Sequence, residues 1–113
     1  MPTAILSFVD QQTGAPRADG LLLYHLDDLI ERNDTFEISQ YLPGYLLIGD
    51  DSGGRGILAS CEHPGHPVYI CSLGSLAKND FVLLAATLQQ WQASGCPTHK
   101  SNSNASDDTI QGR

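Results

Sequence analysis

Residues 41–58, YLPGYLLIGDDSGGRGIL, constrain the fold more than any other part of the chain. An apolar run at 45–48 is followed by glycine, aspartate and serine at 49–54 and then by a second apolar run at 57–59. Glycine adopts the positive φ angles of tight reversals, and aspartate and serine side chains bond to turn backbone. Two apolar runs that flank such a cluster are typical of a β-hairpin with a longer loop. We therefore predict two paired strands at the centre of the fold.

The other elements follow from periodicity and turn signals. Pro43-Gly44 predicts a tight turn, and a second turn is predicted at 63–67, where histidine, proline and glycine cluster. Strands are predicted at 21–24, 46–48, 55–62, 68–73 and 81–84, and residues 36–41 are either extended or one loose helical turn. The pattern therefore indicates an α+β fold in which an antiparallel meander packs with helices.

Helices are predicted at 4–12, at 26–32 and from Thr87 to Gly95. In the second helix the apolar residues Leu26, Leu29 and Ile30 are predicted to share the core face, and the acids are predicted to lie opposite. The last helix opens with the capping-box pattern Thr87-x-x-Gln90 and is predicted to direct Leu88 and Trp91 at the core.

Length and composition favour one domain. The chain has 113 residues, of which 41% are hydrophobic, and no internal repeats. Residues 1–97 are predicted to form that domain. Residues 98–113 are polar and contain Ile110 as their only large aliphatic, so they are predicted to be a disordered tail.

The charge is strongly acidic. Thirteen acids face six bases, which gives a net charge of −7, and nine of the acids lie between Asp19 and Glu62. Such a surface repels phosphate backbones and attracts basic partners, so direct nucleic-acid binding is disfavoured. The alternative is a solvated acidic surface that only maintains solubility.

The cysteines and the first residues of the chain predict the cellular compartment. The three cysteines, Cys61, Cys71 and Cys96, form no disulfide framework, and the first residues lack the basic region of a signal peptide. No apolar run approaches the roughly 20 residues of a membrane span. We therefore expect a cytoplasmic protein with free thiols and no membrane association.

The loop at 49–56 invites three chemical interpretations, and each one fails. Asp51-Ser52-Gly53-Gly54 is similar to the nucleophile motif of trypsin-like proteases, but those enzymes need a positioned histidine and a much larger double barrel. A phosphate loop opens a helix and carries lysine, whereas this loop opens a strand and carries two aspartates. Calcium-loop spacing would require glycine and glutamate where Arg55 and Cys61 stand. A polar hairpin turn explains the composition best.

A possible zinc site lies in the next turn. Cys61, His63, His66 and Cys71 are potential ligands within eleven residues. If Glu62 faced Pro67 across this hairpin, Cys71 would lie opposite Leu58, roughly 10 Å along the strand from Cys61. One ion cannot bridge that distance, so no metal and no cofactor is predicted, and catalysis has no positive support.

Several segments occur in a characteristic order. They are DGLLLY at 19–24, YLPG at 41–44, IGDDSGGR at 48–55, PVYI at 67–70 and TLQQW at 87–91. Over residues 8–91 this order resembles the SUKH superfamily, the Smi/Knr-type domains. Members usually begin with a longer helix, so the resemblance implies that the N-terminal helix is shortened here.

The resemblance carries expectations about fold and function. It implies a curved, largely antiparallel sheet packed with helices. It also implies a non-enzymatic protein-binding domain, an immunity protein that neutralises a cognate toxin, often a nuclease, of a contact-dependent system. The alternative is an intracellular regulatory or scaffold module of the cell-wall-regulator type. We expect a basic protein partner and a monomer or weak dimer.

The family motif also assigns residues. Asp50, Asp51, Ser52 and Arg55 are the expected partner-binding positions. The expected structural positions are Pro43, Gly44, Gly49, Gly53, Gly54 and Trp91. For the first set, loop geometry without any partner contact is the competing interpretation.

Overall fold

The computed structural model describes residues 2–98, which contain five β-strands and four α-helices. The strands are β1 (Leu22–Leu23), β2 (Tyr45–Asp50), β3 (Arg55–Ser60), β4 (Val68–Ser72) and β5 (Val82–Ala85). The helices are α1 (Thr3–Asp10), α2 (Leu26–Thr35), α3 (Ile38–Tyr41) and α4 (Leu88–Ala93), and a 3₁₀ turn covers Lys78–Asp80. The predicted α+β class is confirmed. The predicted tail lies outside the described residues, apart from Thr98.

The strands form one open antiparallel sheet in the order β1-β2-β3-β4-β5. Each strand therefore pairs with its neighbour in sequence, and the predicted meander is confirmed with a further strand at each edge. β1 is shorter than predicted because Leu21 and Tyr24 lie outside the ladder, although the Tyr24 amide still donates to the Ile48 carbonyl at 3.0 Å.

The Pro43-Gly44 turn forms as predicted and starts β2. The Tyr45 amide donates to the Leu42 carbonyl at 3.2 Å, and Gly44 has a φ of +88°. Proline at the second position and glycine with positive φ at the third are typical of a type II turn. The Gly44 carbonyl then accepts from the Cys61 amide at 2.8 Å, which joins this turn to the chain that leaves β3.

The predicted register between β3 and β4 is wrong by two residues. Ala59 pairs with Val68, and Cys71 lies opposite Gly56 instead of Leu58. The physical reason is the size of the connection, since residues 61–66 all leave the ladder and the Ser60 amide donates to the Pro67 carbonyl. A six-residue loop replaces the shorter turn that the sequence pattern predicted.

Gly49 lies at the closest approach of β1 to β2. A Cβ atom there would lie 2.6 Å from the Leu22 carbonyl oxygen and 3.0 Å from the Leu23 Cδ2 atom. Because the first contact is with backbone, no change of rotamer relieves it. Strand proximity, and not the turn conformation that the sequence predicted, therefore accounts for glycine at position 49.

Both faces of the central strand are covered. All residues of β3 from Gly56 to Ser60 are buried. Tyr45 and Tyr69 contact Phe81 with ring centroids 5.1 Å away in each case, so the segment before β5 covers the face that these two tyrosines occupy. At β3 the sheet is therefore buried on both faces.

The helices supply the rest of the core. Ile5, Phe8 and Val9 of α1 are buried, as the predicted periodicity requires. Trp91 of α4 has no exposed surface, and its ring centroid lies 6.1 Å from that of Phe8. α4 begins as predicted, because the Thr87 hydroxyl oxygen accepts from the Gln90 amide at 3.0 Å.

Candidate functional site

The Asp51 carboxylate organises the loop between β2 and β3. Its Oδ1 atom accepts from the Gly53 amide at 2.8 Å and from the Arg55 amide at 3.0 Å, and Oδ2 accepts from Arg55 Nε at 3.3 Å. Partial burial acts to raise the pKa of Asp51, but these hydrogen bonds and the guanidinium charge outweigh it. The pKa of Asp51 therefore lies below its ordinary value of 3.8.

The neighbouring carboxylate, Asp50, bonds inward. Its Oδ2 atom accepts from the hydroxyl of buried Tyr24, and Oδ1 accepts from the Ser52 amide at 2.8 Å. Burial, and then the hydrogen bond to Asp50 and its charge, raise the pKa of Tyr24 well above its ordinary value of 10.0. The phenol is therefore held as a protonated donor, and both Asp50 oxygens are engaged within the fold.

The tip of the loop is fixed by Ser52 and Gly54. Ser52 has a φ of +62°, and its hydroxyl donates to the Gly20 carbonyl at 2.6 Å, which joins the loop to the segment before β1. Gly54 has a φ of +96°, a conformation that favours glycine, and its carbonyl accepts from the Leu73 amide. Gly54 thus has the backbone conformation expected of a turn glycine, whereas the φ angle of Gly53 lies outside the left-handed region.

The structure brings the predicted partner-binding residues together in one loop. It also shows that Asp50, Asp51 and Ser52 use their polar atoms to hold the loop, whereas the Arg55 side chain stays 52% exposed. Contact between these residues and a partner stays a prediction. The observed hydrogen bonds support the interpretation that these residues maintain the loop geometry.

The hydrogen bonds of Asp51 predict a contribution to stability that depends on pH. Asp51→Asn removes the charged acceptor, so we expect the free energy of unfolding to fall by about 1–2 kcal/mol at pH 7. Because the folded pKa of Asp51 is depressed, its stabilisation is present above pH 3.8 and is lost as the pH falls through the folded value. Urea titrations at pH 7 and near pH 2.5 test this. The stability difference is expected to narrow at the lower pH, and a constant difference would contradict the assigned role.

The turn with the four possible zinc ligands is held by hydrogen bonds. His63 Nδ1 lies 3.0 Å from the Ser60 hydroxyl, and His66 Nδ1 donates to the Ser60 carbonyl at 2.9 Å. The observed register places Cys71 opposite Gly56, which is five residues, or roughly 16 Å of extended strand, from Cys61. Within residues 2–98 no group of three or more His, Cys, Asp or Glu side chains is placed to hold a metal ion.

The thiols of all three cysteines have a raised pKa. Burial, and to a lesser extent the Asp80 charge, raise the pKa of Cys71 to about 11. Burial likewise raises the pKa of Cys61 and of Cys96. A thiol with a raised pKa holds its proton at neutral pH, so these side chains are poor nucleophiles and poor metal ligands.

A second candidate surface is the outward face of α2. Asp27, Ile30, Glu31 and Asp34 follow one another at i, i+3, i+4 and i+7, which places them side by side on a helix, and all four are exposed. Both ion pairs found among residues 2–98 lie away from α2. This acidic α2 face therefore presents three carboxylates and one aliphatic side chain to the exterior.

The prediction that Ile30 lies on the core face is wrong. Leu29 is 1% exposed, but Ile30 is 58% exposed. The Asn33 side chain turns inward and bonds to the Leu47 backbone. The buried face of α2 is therefore centred on Leu29 and Asn33, and Ile30 lies outside it. Sequence reasoning identified the acids of this helix but missed the alignment of Ile30 with them.

Comparison with known proteins leaves the family open. No family model matches the chain, and a search of the curated proteins finds no match. Within residues 2–98 no helix has both the length and the apolar character needed to cross a bilayer. The resemblance to the SUKH superfamily stays a prediction from the sequence segments.

Proposed function

We propose that the protein is a non-enzymatic binding domain whose acidic α2 face binds a basic protein. The observation that carries the proposal is the alignment of Asp27, Glu31 and Asp34 beside the exposed Ile30. Interfaces of this kind combine an apolar anchor with a charged rim that accelerates encounter and selects the partner.

The charge of the described chain supports this partner class. Residues 2–98 contain eleven acids and four bases, and two of those bases, Arg17 and Arg55, already form ion pairs with Asp19 and Asp51. The remaining negative field attracts a positively charged protein and repels nucleic acid. The proposed partner is therefore itself basic.

The hydrogen bonds of the loop support a role without catalysis. The Ser52 hydroxyl, the only nucleophile in the protease-like motif, donates to a backbone carbonyl. The two aspartates accept from backbone amides, from Arg55 and from Tyr24. These side chains hold the loop in place through hydrogen bonds, and none of them is positioned as a general base or a nucleophile.

The specific form of the proposal is a cytoplasmic immunity protein. An acidic inhibitor that covers the basic substrate cleft of a nuclease fits the charge, and neutralising such a toxin is the role that the SUKH resemblance implies. The three free cysteines fit a reducing compartment. The test is co-expression with the protein encoded by the neighbouring gene, which this form of the proposal requires to be a basic toxin. Cells that carry that protein should survive only when the immunity protein is also present, and survival without it would overturn this form of the proposal.

The acidic α2 face yields a quantitative prediction about association with that basic protein. The triple variant Asp27→Lys, Glu31→Lys and Asp34→Lys is expected to slow association by about tenfold or more at low salt, because it reverses the local field. Stopped-flow measurements from 20 to 500 mM salt provide the readout. The wild-type rate is expected to fall with salt far more steeply than that of the variant.

A matched pair of single variants provides the control for location. Glu31 and Glu62 are both exposed, but Glu62 is not part of α2 and lies in the turn after β3, with its carboxyl group beside Gly44. Glu31→Lys and Glu62→Lys change the net charge equally. We expect only the first to slow association clearly. Equal effects would show that total charge, and not the acidic α2 face, determines the rate.

A further inference from the structure

α1 and α2 enclose a groove beside the acidic α2 face. Its volume is about 500 Å³, and it is lined by Thr3, Leu6, Ser7 and Asp10 of α1 and by Leu26 of α2. Leu6 is 41% exposed although it is a large aliphatic residue. The groove therefore has an apolar floor formed by two leucines from two different helices.

On α2 a further apolar side chain, Ile30, lies one turn beyond the groove lining. It follows Leu26 by four residues, so the two side chains are neighbours on the helix surface. Among residues 2–98 the exposed large apolar side chains are Leu6, Ile30, Tyr41, Val82 and Leu83. One of these five, Leu6, lines the groove, and Ile30 lies one helical turn beyond its lining residue Leu26. Single exposed aliphatic residues are ordinary on protein surfaces, but a continuous apolar strip indicates a binding surface.

Carboxylates stand on both sides of the apolar strip. Asp10 follows Leu6 by one turn on α1, and Asp27 and Asp34 lie at i−3 and i+4 from Ile30 on α2. The one base of α2, Arg32, is two residues from Ile30 and therefore projects about 200° around the helix from it. The lining of the groove thus combines two leucines with Asp10 and the neutral residues Thr3 and Ser7, and the carboxylates of α2 lie next to it.

We infer that this groove binds a basic amphipathic helix of the partner, with aliphatic side chains between Leu6, Leu26 and Ile30 and with Lys or Arg against the carboxylates. The inference rests on the proposed function and names the part of the partner that is recognised. A helix fits because the walls are themselves helices, whose side-chain ridges and grooves accept a third helix. α1 has eight residues, about 12 Å of helix, so two to three turns of the ligand fill the groove.

The inference can be tested with synthetic peptides and the full chain. The probe is a fluorescein-labelled 14-residue peptide of leucine, alanine and lysine whose leucines recur at i, i+3, i+4 and i+7. A scrambled peptide of the same composition, with no apolar face, is the matched control. We expect anisotropy titrations to show at least fivefold tighter binding of the amphipathic peptide, and backbone amide shifts in α1 and α2.

Three single variants locate the binding surface. Leu6→Ser and Ile30→Ser are expected to weaken binding of the amphipathic peptide by about fivefold or more each. Leu83→Ser is the control, since Leu83 is 43% exposed on β5, outside the groove. Circular dichroism establishes that each variant is folded. Equal effects of the three substitutions would overturn the inference, as would an absence of binding.

The design separates this inference from the proposed function. One outcome is that both peptides bind equally and in a salt-sensitive way, and that Glu31→Lys weakens that binding. This result would support binding at the acidic α2 face and overturn the inference that the groove recognises an amphipathic helix. Binding that is independent of salt and unchanged by Glu31→Lys, but is weakened by Leu6→Ser, would retain the groove and overturn the electrostatic basis of the proposed function.

Discussion

Trp91→Ala is expected to lower the free energy of unfolding by about 3–5 kcal/mol, the usual cost of truncating a fully buried aromatic residue. The Trp91 side chain has no exposed surface and contacts Phe8 of α1. Its indole Nε1 atom donates to the Pro97 carbonyl at 2.8 Å, and its own carbonyl accepts from the Cys96 amide. The substitution therefore opens a cavity between two helices and removes the side-chain bond to Pro97, while the backbone bond to Cys96 can persist.

The measurement is urea unfolding followed by far-ultraviolet circular dichroism, because Trp91 is the only tryptophan and its fluorescence is lost in the variant. Trp91→Phe is expected to retain part of the stability, since it keeps a ring near Phe8 but loses the bond to Pro97. Tyr41→Ala is the surface control, because Tyr41 is 54% exposed, and a change within about 0.5 kcal/mol is expected there. A loss below about 1 kcal/mol in Trp91→Ala would contradict the assigned place of α4 in the core.

The elements that the sequence predicted well are those whose signals are local. Pro43-Gly44 and the loop at 49–54 are specified by turn chemistry within a few residues, and both form. The cap at Thr87 and the burial of Trp91 follow from spacing within one short helix. In each case the neighbouring residues contain the whole physical cause.

The errors arise where side-chain bonds inside a loop, or a distant contact, decide the outcome. The β3–β4 register depends on how many residues leave the ladder, and the bonds of His63 and His66 to Ser60 hold the larger loop. The sequence predicts that α2 ends at residue 32, but the helix continues to Thr35, and tertiary bonds to β2 hold Asn33 inside it. Periodicity cannot report such contacts.

The candidate site was predicted only in part for the same reason. The excess of acids is visible in the sequence, and it predicts a basic partner whatever the fold. The exposure of Ile30 and its place beside the groove depend on where α1 lies against α2, which is a tertiary fact. Asp50 and Asp51 were recognised as a motif, but their inward hydrogen bonds required the structure.

Asn33 supplies a side chain that replaces a missing strand. β1 pairs with β2 only at Leu22 and Leu23, so the Leu47 backbone has no strand partner on that side. The Asn33 amide fills the place of a peptide group. Its Oδ1 atom accepts from the Leu47 amide at 2.9 Å, and its Nδ2 atom donates to the Leu47 carbonyl and to the Leu29 carbonyl, at 2.8 Å each.

Loss of this side chain therefore leaves unpaired backbone beside a buried residue, since Leu47 is 0% exposed. We expect Asn33→Ala to lower the free energy of unfolding by about 2–4 kcal/mol, because each unsatisfied buried polar group costs about 1–3 kcal/mol. Asn33→Asp has nearly the same shape and keeps the acceptor, but at neutral pH it lacks both donated bonds and directs a negative charge at two carbonyl oxygens. We expect it to destabilise at least as much as alanine.

Urea unfolding gives the magnitude, and amide hydrogen exchange gives the location. In Asn33→Ala the Leu47 amide is expected to exchange faster than the amides of Ile57 and Leu58 on β3, because only its partner has been removed. Asn79→Ala is the matched control, since Asn79 is exposed in the 3₁₀ turn, and it is expected to leave stability within about 0.5 kcal/mol. Unchanged exchange at Leu47 would mean that the backbone bonds of β2 do not depend on Asn33. The join between α2 and the sheet, and with it the position of the acidic α2 face, would then need another physical cause.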